Sequence, residues 1–266
     1  KVKSRLDIEQ ATTMPFIGDV PKSVSNEAII SETSRSSTAE AIRIVRTNLE
    51  FLLNEVPEGV AKTIFLTSTL PKEGKTFISV NLASIIALSD KKVLLLGLDF
   101  RNPKLEEYLD VPKVGITNYL ASKDHKNSAD FLTKVEGFSN FYVMPAGVIP
   151  PNPAELLMGK KVPELFEQLK QEFDYIIVDT APVSLVTDTL LISKYADAFV
   201  YVARANYLDK RMLSLPERLY QEKKLPNMSI LINDTDSTKG YGYGYGYGYG
   251  YGVEVEKKSF WKRIFR

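Results

Sequence analysis

Thr63-Ile64-Phe65-Leu66-Thr67-Ser68-Thr69-Leu70-Pro71-Lys72-Glu73-Gly74-Lys75-Thr76 decides how this chain is read. Thr63 to Thr67 is a short apolar run of strand length, and Val80, Leu82, Ala83 and Ile86 beyond Thr76 supply an apolar helical pattern. Between them lies the composition of a phosphate-binding loop. Gly74 lets the backbone turn its amides onto a phosphate, Lys75 brings a point charge to the β- and γ-phosphates, and the Thr76 hydroxyl suits Mg²⁺. The helix that follows adds the positive end of its dipole. Thr69, Lys72, Glu73, Gly74, Lys75, Thr76 and Phe77 are therefore the candidate nucleotide-binding residues here. One position departs from the usual spacing, because Thr69 stands where the loop's first glycine is expected, six residues before Lys75.

Outward from the loop, Val93 to Leu96, Phe141 to Met144, Tyr175 to Val178, Ala198 to Val202 and Ser229 to Ile232 are further strand candidates. They are apolar on both faces and alternate with amphipathic stretches such as Pro163 to Phe173. That pattern predicts an α/β fold of three layers, a mostly parallel sheet covered by helices on both faces. Two acidic positions follow strands in such a fold, where ligands bind. Asp179 ends Tyr175 to Val178, and Asp99 lies just past Val93 to Leu96 with Arg101 two residues on. With Thr76, Asp179 forms a candidate Mg²⁺ site beside Lys75, and resemblance to a known family adds Asp99 to that site and Asp99 and Arg101 to Lys75 and Asp179 as the candidate catalytic residues.

The remainder of the chain bounds its chemistry. The 266 residues carry 34 Lys plus Arg against 33 Asp plus Glu, so a net charge of +1 gives no footprint for bulk nucleic-acid binding. With no cysteine and one histidine, His125, there are no disulfides, no thiolate zinc site and no cysteine nucleophile. No run of 18 apolar residues is present. Three divisions are expected: a leading segment or linker over 1–35, a nucleotide-binding domain over 36–239 and a flexible tail over 240–266. In the first, Met14 to Gly18 is a short apolar knot; the second opens with a helix from Ala39 to Leu53. On that helix Glu40, Arg43 and Arg46 fall within about 120°, at 100° per residue. The tail contains a six-fold Tyr-Gly repeat, Tyr241 to Gly252, then a basic aromatic end suited to anionic lipid.

Taken together, these segments resemble the bacterial tyrosine kinases, the cytoplasmic halves of Wzc-type polysaccharide co-polymerases. That family is a branch of the deviant-Walker P-loop ATPases to which MinD and ParA proteins also belong. Lys75 and Thr76 match its Walker A loop, Asp99 and Arg101 its A-prime motif, and Asp179 its Walker B strand. Gly97 departs from it, standing where the family carries its first A-prime Asp. The resemblance implies ATP and Mg²⁺ as cofactors, and Asn233 as the residue at the adenine. It also implies phosphorylation in trans of a C-terminal tyrosine cluster, here Tyr241, Tyr243, Tyr245, Tyr247, Tyr249 and Tyr251. Glu40, Arg43 and Arg46 match a helix that in the family joins subunits, so a homo-oligomer, specifically a ring octamer, is expected. A membrane-embedded chain-length regulator upstream, a cognate tyrosine phosphatase and a place at the cytoplasmic face of the bacterial inner membrane follow from the same resemblance. Two alternatives stand beside the kinase. A MinD- or ParA-like switch would carry a signature lysine where this chain has Leu70, and a catalytically weak scaffold is made conceivable by Thr69 and Gly97.

Overall fold

A computed structural model describes residues 1–23, 29–123 and 127–236. His125, the Tyr-Gly repeat and the basic end lie outside them. Among the described residues the strands are β1 (Phe16–Pro21), β2 (Lys62–Ser68), β3 (Val93–Gly97), β4 (Thr133–Lys134), β5 (Phe141–Met144), β6 (Tyr175–Asp179), β7 (Ala198–Arg204) and β8 (Met228–Thr235). They form one sheet in the order β1-β8-β7-β2-β6-β3-β5-β4. Every pairing is parallel except the short β4 against β5. The helices are α1 (Arg5–Glu9), α2 (Ser37–Leu52), α3 (Lys75–Ala87), α4 (Ile116–Ala121), α5 (Pro153–Leu157), α6 (Lys161–Glu172), α7 (Asp188–Ile192) and α8 (Ser214–Gln221).

The period-two geometry of a strand explains why runs apolar at every position were needed. Along β2, Ile64 and Leu66 join a cluster with Ile42, Val45 and Leu49 of α2 and Ile78 and Leu82 of α3. Phe65 between them points to the opposite face, into a cluster with Leu165, Phe166 and Leu169 of α6. There its ring stacks on Phe166 at 6.0 Å and tilts against Phe199 at 5.2 Å. Helix α3, buried nearly all round between the sheet and α2, holds the phosphate loop at its N-terminus.

Residues 1–35 are more than the expected linker. Phe16, Ile17 and Gly18 of the apolar knot begin β1, an edge strand paired with β8, and Val2 and Ile8 are fully buried. Gly18 and Pro21 lie within this strand, and an edge strand needs only one hydrogen-bonded side and tolerates them. Gly18, at φ +150°, lets α2 approach: a Cβ there would come within 2.9 Å of Val45 Cγ2. Asn48 of α2 donates to the Ile17 carbonyl at 2.9 Å and fixes that contact. Pro153 opens α5 at the first helical position, where a missing N–H costs nothing.

Candidate active site

β2 ends at Ser68 and the chain turns through Thr69 to Gly74 into α3. Gly74 adopts φ +90°, and a Cβ on it would lie 2.0 Å from Asn233 Nδ2, so only glycine fits. Asn233, within β8, donates to the Glu73 carbonyl at 3.1 Å, which places the residue assigned by resemblance to adenine directly beside the loop. Thr69 is fully buried, and its hydroxyl lies 2.9 Å from that of Tyr201. A side chain at this position is thus accommodated by a partner on β7.

The loop is held from several sides. Glu73, fully buried, accepts the Leu70 amide at 2.6 Å and the Arg204 amide at 3.3 Å. Arg204 also donates to the Lys72 carbonyl at 2.9 Å, Tyr207 donates to that of Pro71 at 3.1 Å, and Ser184 donates to that of Thr69. Burial pushes the Glu73 carboxyl up to about 7, against the pull of the two amides and of Lys75.

Past the loop the predicted groups converge. Thr76 Oγ1 donates to Asp179 Oδ2 at 2.7 Å, and Ser79 Oγ donates to Asp179 Oδ1 at 3.3 Å. Asp179, the last residue of β6, is pushed up to about 6 by burial, with the Lys75 charge and the Thr76 hydroxyl opposing. Asp99 is likewise raised by burial, Lys75 and the amides of Arg101 and Asn102 opposing. Lys75 itself is 7% exposed. One hydroxyl and two carboxylates are hard oxygen donors of the kind Mg²⁺ takes, so the residues fit that ion. Among the described residues no group of three or more His, Cys, Asp or Glu could hold a metal. Phosphate oxygens and water would supply the remaining contacts to such an ion, as in a nucleotide-dependent site.

Other expected residues lie elsewhere. The Arg101 guanidinium does not turn to Asp99; it makes a two-point pair with buried Asp188, Nε to Oδ2 at 2.8 Å and Nη2 to Oδ1 at 3.0 Å. Phe77 packs its ring on Tyr108 at 6.3 Å, so only its backbone, in the first turn of α3, belongs to the loop. Glu40, Arg43 and Arg46 sit apart on α2. Arg43 pairs with Glu40 at 2.5 Å and donates to the Ser34 carbonyl at 3.0 Å, while Arg46 donates to Ser89, beyond the far end of α3 from the loop. Sequence reasoning missed Ser79, Ser184, Asp188, Tyr201, Arg204 and Tyr207. Gly97 pairs in register with Asp179, and beside both opens a cavity of about 440 Å³ that reaches Asp99.

Residues 61–209 match the profile of a family described as an AAA domain, more than half of the chain. The tyrosine-protein kinase Ptk of Acinetobacter johnsonii is 32% identical over 255 residues, 90% of this chain and 34% of that protein. The kinase domain of the Escherichia coli tyrosine kinase ETK superposes with a TM-score of 0.79 at 28% identity, covering 93% of this chain and all of that one. The chain belongs to the bacterial tyrosine kinases. It spans about a third or less of the length of the curated relatives it matches. The wider fold is shared with the septum site-determining protein MinD of Pyrococcus horikoshii, at a TM-score of 0.52 and 19% identity. In this bacterial tyrosine kinase domain, no helix among the described residues is long and apolar enough to cross a membrane.

Proposed function

We propose that this chain transfers the γ-phosphoryl group of ATP to tyrosine, and that Tyr241, Tyr243, Tyr245, Tyr247, Tyr249 and Tyr251 of a neighbouring copy are its acceptors. The observation that carries this is the convergence of Lys75, Thr76, Asp99 and Asp179 beside an open cavity. Loop amides and the Lys75 ammonium would bind the phosphates, and Asn233 would lie toward the adenine. Thr76, Asp99 and Asp179 would hold Mg²⁺, which when bound offsets phosphate charge. The phenolic oxygen bonds to the γ-phosphorus as the bond from that phosphorus to the β–γ bridging oxygen breaks, and ADP leaves with the electron pair. Bonding to the nucleophile is slight in a loose transition state, so the phenolic proton leaves late and no early base is required. Gly97, with no side chain, takes no part in that transfer.

The match of Glu40, Arg43 and Arg46 to the helix that joins subunits in the resembled family supports a homo-oligomer formed through these residues. By the same resemblance we place the chain in polysaccharide export at the cytoplasmic face of the inner membrane, with a membrane regulator upstream and a phosphatase that resets it.

Incubation with ATP labelled at the γ-phosphorus tests the reading directly. Label should appear on tyrosine, and Lys75→Met should lower it at least a hundredfold, since methionine keeps the length and loses the charge. Free phosphate without labelled tyrosine would favour the MinD-like switch, and neither product would favour a scaffold.

A further inference from the structure

Four donors on the β7 and β8 side of the sheet close on three consecutive residues of the phosphate loop. Tyr207 donates to the Pro71 carbonyl at 3.1 Å, the Arg204 guanidinium to the Lys72 carbonyl at 2.9 Å and Asn233 to the Glu73 carbonyl at 3.1 Å, while the Arg204 amide donates to the Glu73 carboxyl at 3.3 Å. In a trans peptide the C=O of one residue and the N–H of the next point in opposite directions. Drawing these carbonyls toward β7 and β8 therefore turns the amides of Lys72, Glu73 and Gly74 the other way, as a cradle for phosphate requires. The pull acts against a local preference. Lys72 stands at φ +68°, a left-handed conformation that a residue with a side chain seldom keeps unless its surroundings hold it there. Arg204 is itself anchored: its Nε donates to Asp234 Oδ2 at 2.9 Å, and its guanidinium lies 5.5 Å from the centroid of the Tyr207 ring.

We propose that Arg204 is a positioning residue for nucleotide binding, which, braced by Asp234 and Tyr207, keeps Lys72 left-handed and so keeps the amides of residues 72–74 aimed at the phosphate chain. The inference rests on the nucleotide-binding part of the kinase reading above and is independent of the acceptor. It differs from two other roles an arginine here would have. One is direct contact with the base or ribose, since Arg204 and Asn233 pair in register. The other is a positive charge attracting phosphate through space, for which its hydrogen bonds would be incidental.

The test measures binding of a fluorescent ADP analogue with Mg²⁺ to the full chain, so its result does not depend on phosphoryl transfer. Arg204→Ala should raise the Kd about tenfold, as expected for the loss of a hydrogen bond from a charged donor. Competition by tripolyphosphate, which has no base or ribose, should weaken by the same factor; undiminished competition would make Arg204 a base or ribose contact and overturn the proposal. Asp234→Ala, at a partly exposed position, keeps the guanidinium but frees it from its anchor, and should raise the Kd about threefold. Because that change removes a negative charge, tighter binding would mean that Arg204 acts through charge alone. In a Lys72→Gly background, where the left-handed conformation is no longer strained, Arg204→Ala should cost less than about threefold. A full tenfold cost there overturns the positioning role, since nothing then links Arg204 to the conformation of residue 72. Failure of the parent to bind ADP overturns the nucleotide site, and the kinase reading with it. Nucleotide binding with the expected variant pattern but no labelled tyrosine overturns the kinase reading and leaves the role of Arg204 standing.

Discussion

Glu73 is fully buried inside the phosphate loop, accepting two backbone amides, and its carboxyl is pushed up to about 7 from an ordinary 4.5. The neutral form is therefore favoured by folding. Between about pH 4.5 and 7 the folded chain holds this proton more than the unfolded one does, so the stability it confers is present at low pH and is lost as pH rises through 7. Asp179, raised to about 6 by burial, acts with the same sign and is present in any Glu73 variant. In the nucleotide-free protein, Glu73→Gln should thus lose less stability from pH 5 to pH 8 than the wild type, by on the order of 3 kcal/mol. Urea unfolding at the two pH values measures the difference; parallel losses would mean that Glu73 is ionised throughout. Of this loop, what the sequence made legible was its contiguous part. Gly74, Lys75 and Thr76 follow one another, and Asp99 and Asp179 terminate apolar runs. Tyr201, Arg204 and Tyr207 grip the same loop from more than a hundred residues away, and no spacing rule connects a tyrosine or an arginine to a distant carbonyl.

Helix α2 illustrates both what periodicity reveals and what it hides. Ile42, Val45 and Leu49 recur at three- and four-residue spacing and all are buried, so the helix and its inner face were readable. Ser36 caps it, accepting the Ala39 amide at 3.2 Å. Strand β1, packed on that helix, was not readable as a strand, because its pairing is supplied by β8 over two hundred residues later. On α2's outer side the Arg43–Glu40 pair is 33% and 61% exposed, and such pairs contribute about 0–1 kcal/mol. Replacing Glu40, Arg43 and Arg46 by Ala should accordingly shift the urea midpoint little, by about 1 kcal/mol of stability. If these residues join subunits, the same variant should be monomeric at concentrations where the wild type assembles, and autophosphorylation should fall on dilution. Light scattering decides it: equal masses for the two proteins would remove α2 from the interface.

At the scale of the whole molecule, the sheet places the candidate catalytic groups at its carboxyl edge, and the chain continues from β8 into the Tyr-Gly repeat. Twelve extended residues reach about 40 Å, enough to enter a neighbour's site. Each phosphotyrosine adds about −1.5 to −2 charges, so six would add about −9 to −12 to a chain whose net charge is +1. An unmodified phenol brings no charge toward Asp99 and Asp179, whereas a phosphorylated one is repelled by both and by bound nucleotide. Assembly held partly by tails in neighbouring sites should therefore form when the repeat is unmodified and loosen as it is phosphorylated. The mass of the wild type before and after incubation with ATP and Mg²⁺ measures this, beside a variant with Tyr241, Tyr243, Tyr245, Tyr247, Tyr249 and Tyr251 all changed to Phe. The wild type should dissociate and the Phe variant should not. If both come apart equally on adding ATP, the nucleotide drives the change and the charge on the tail has no part in it.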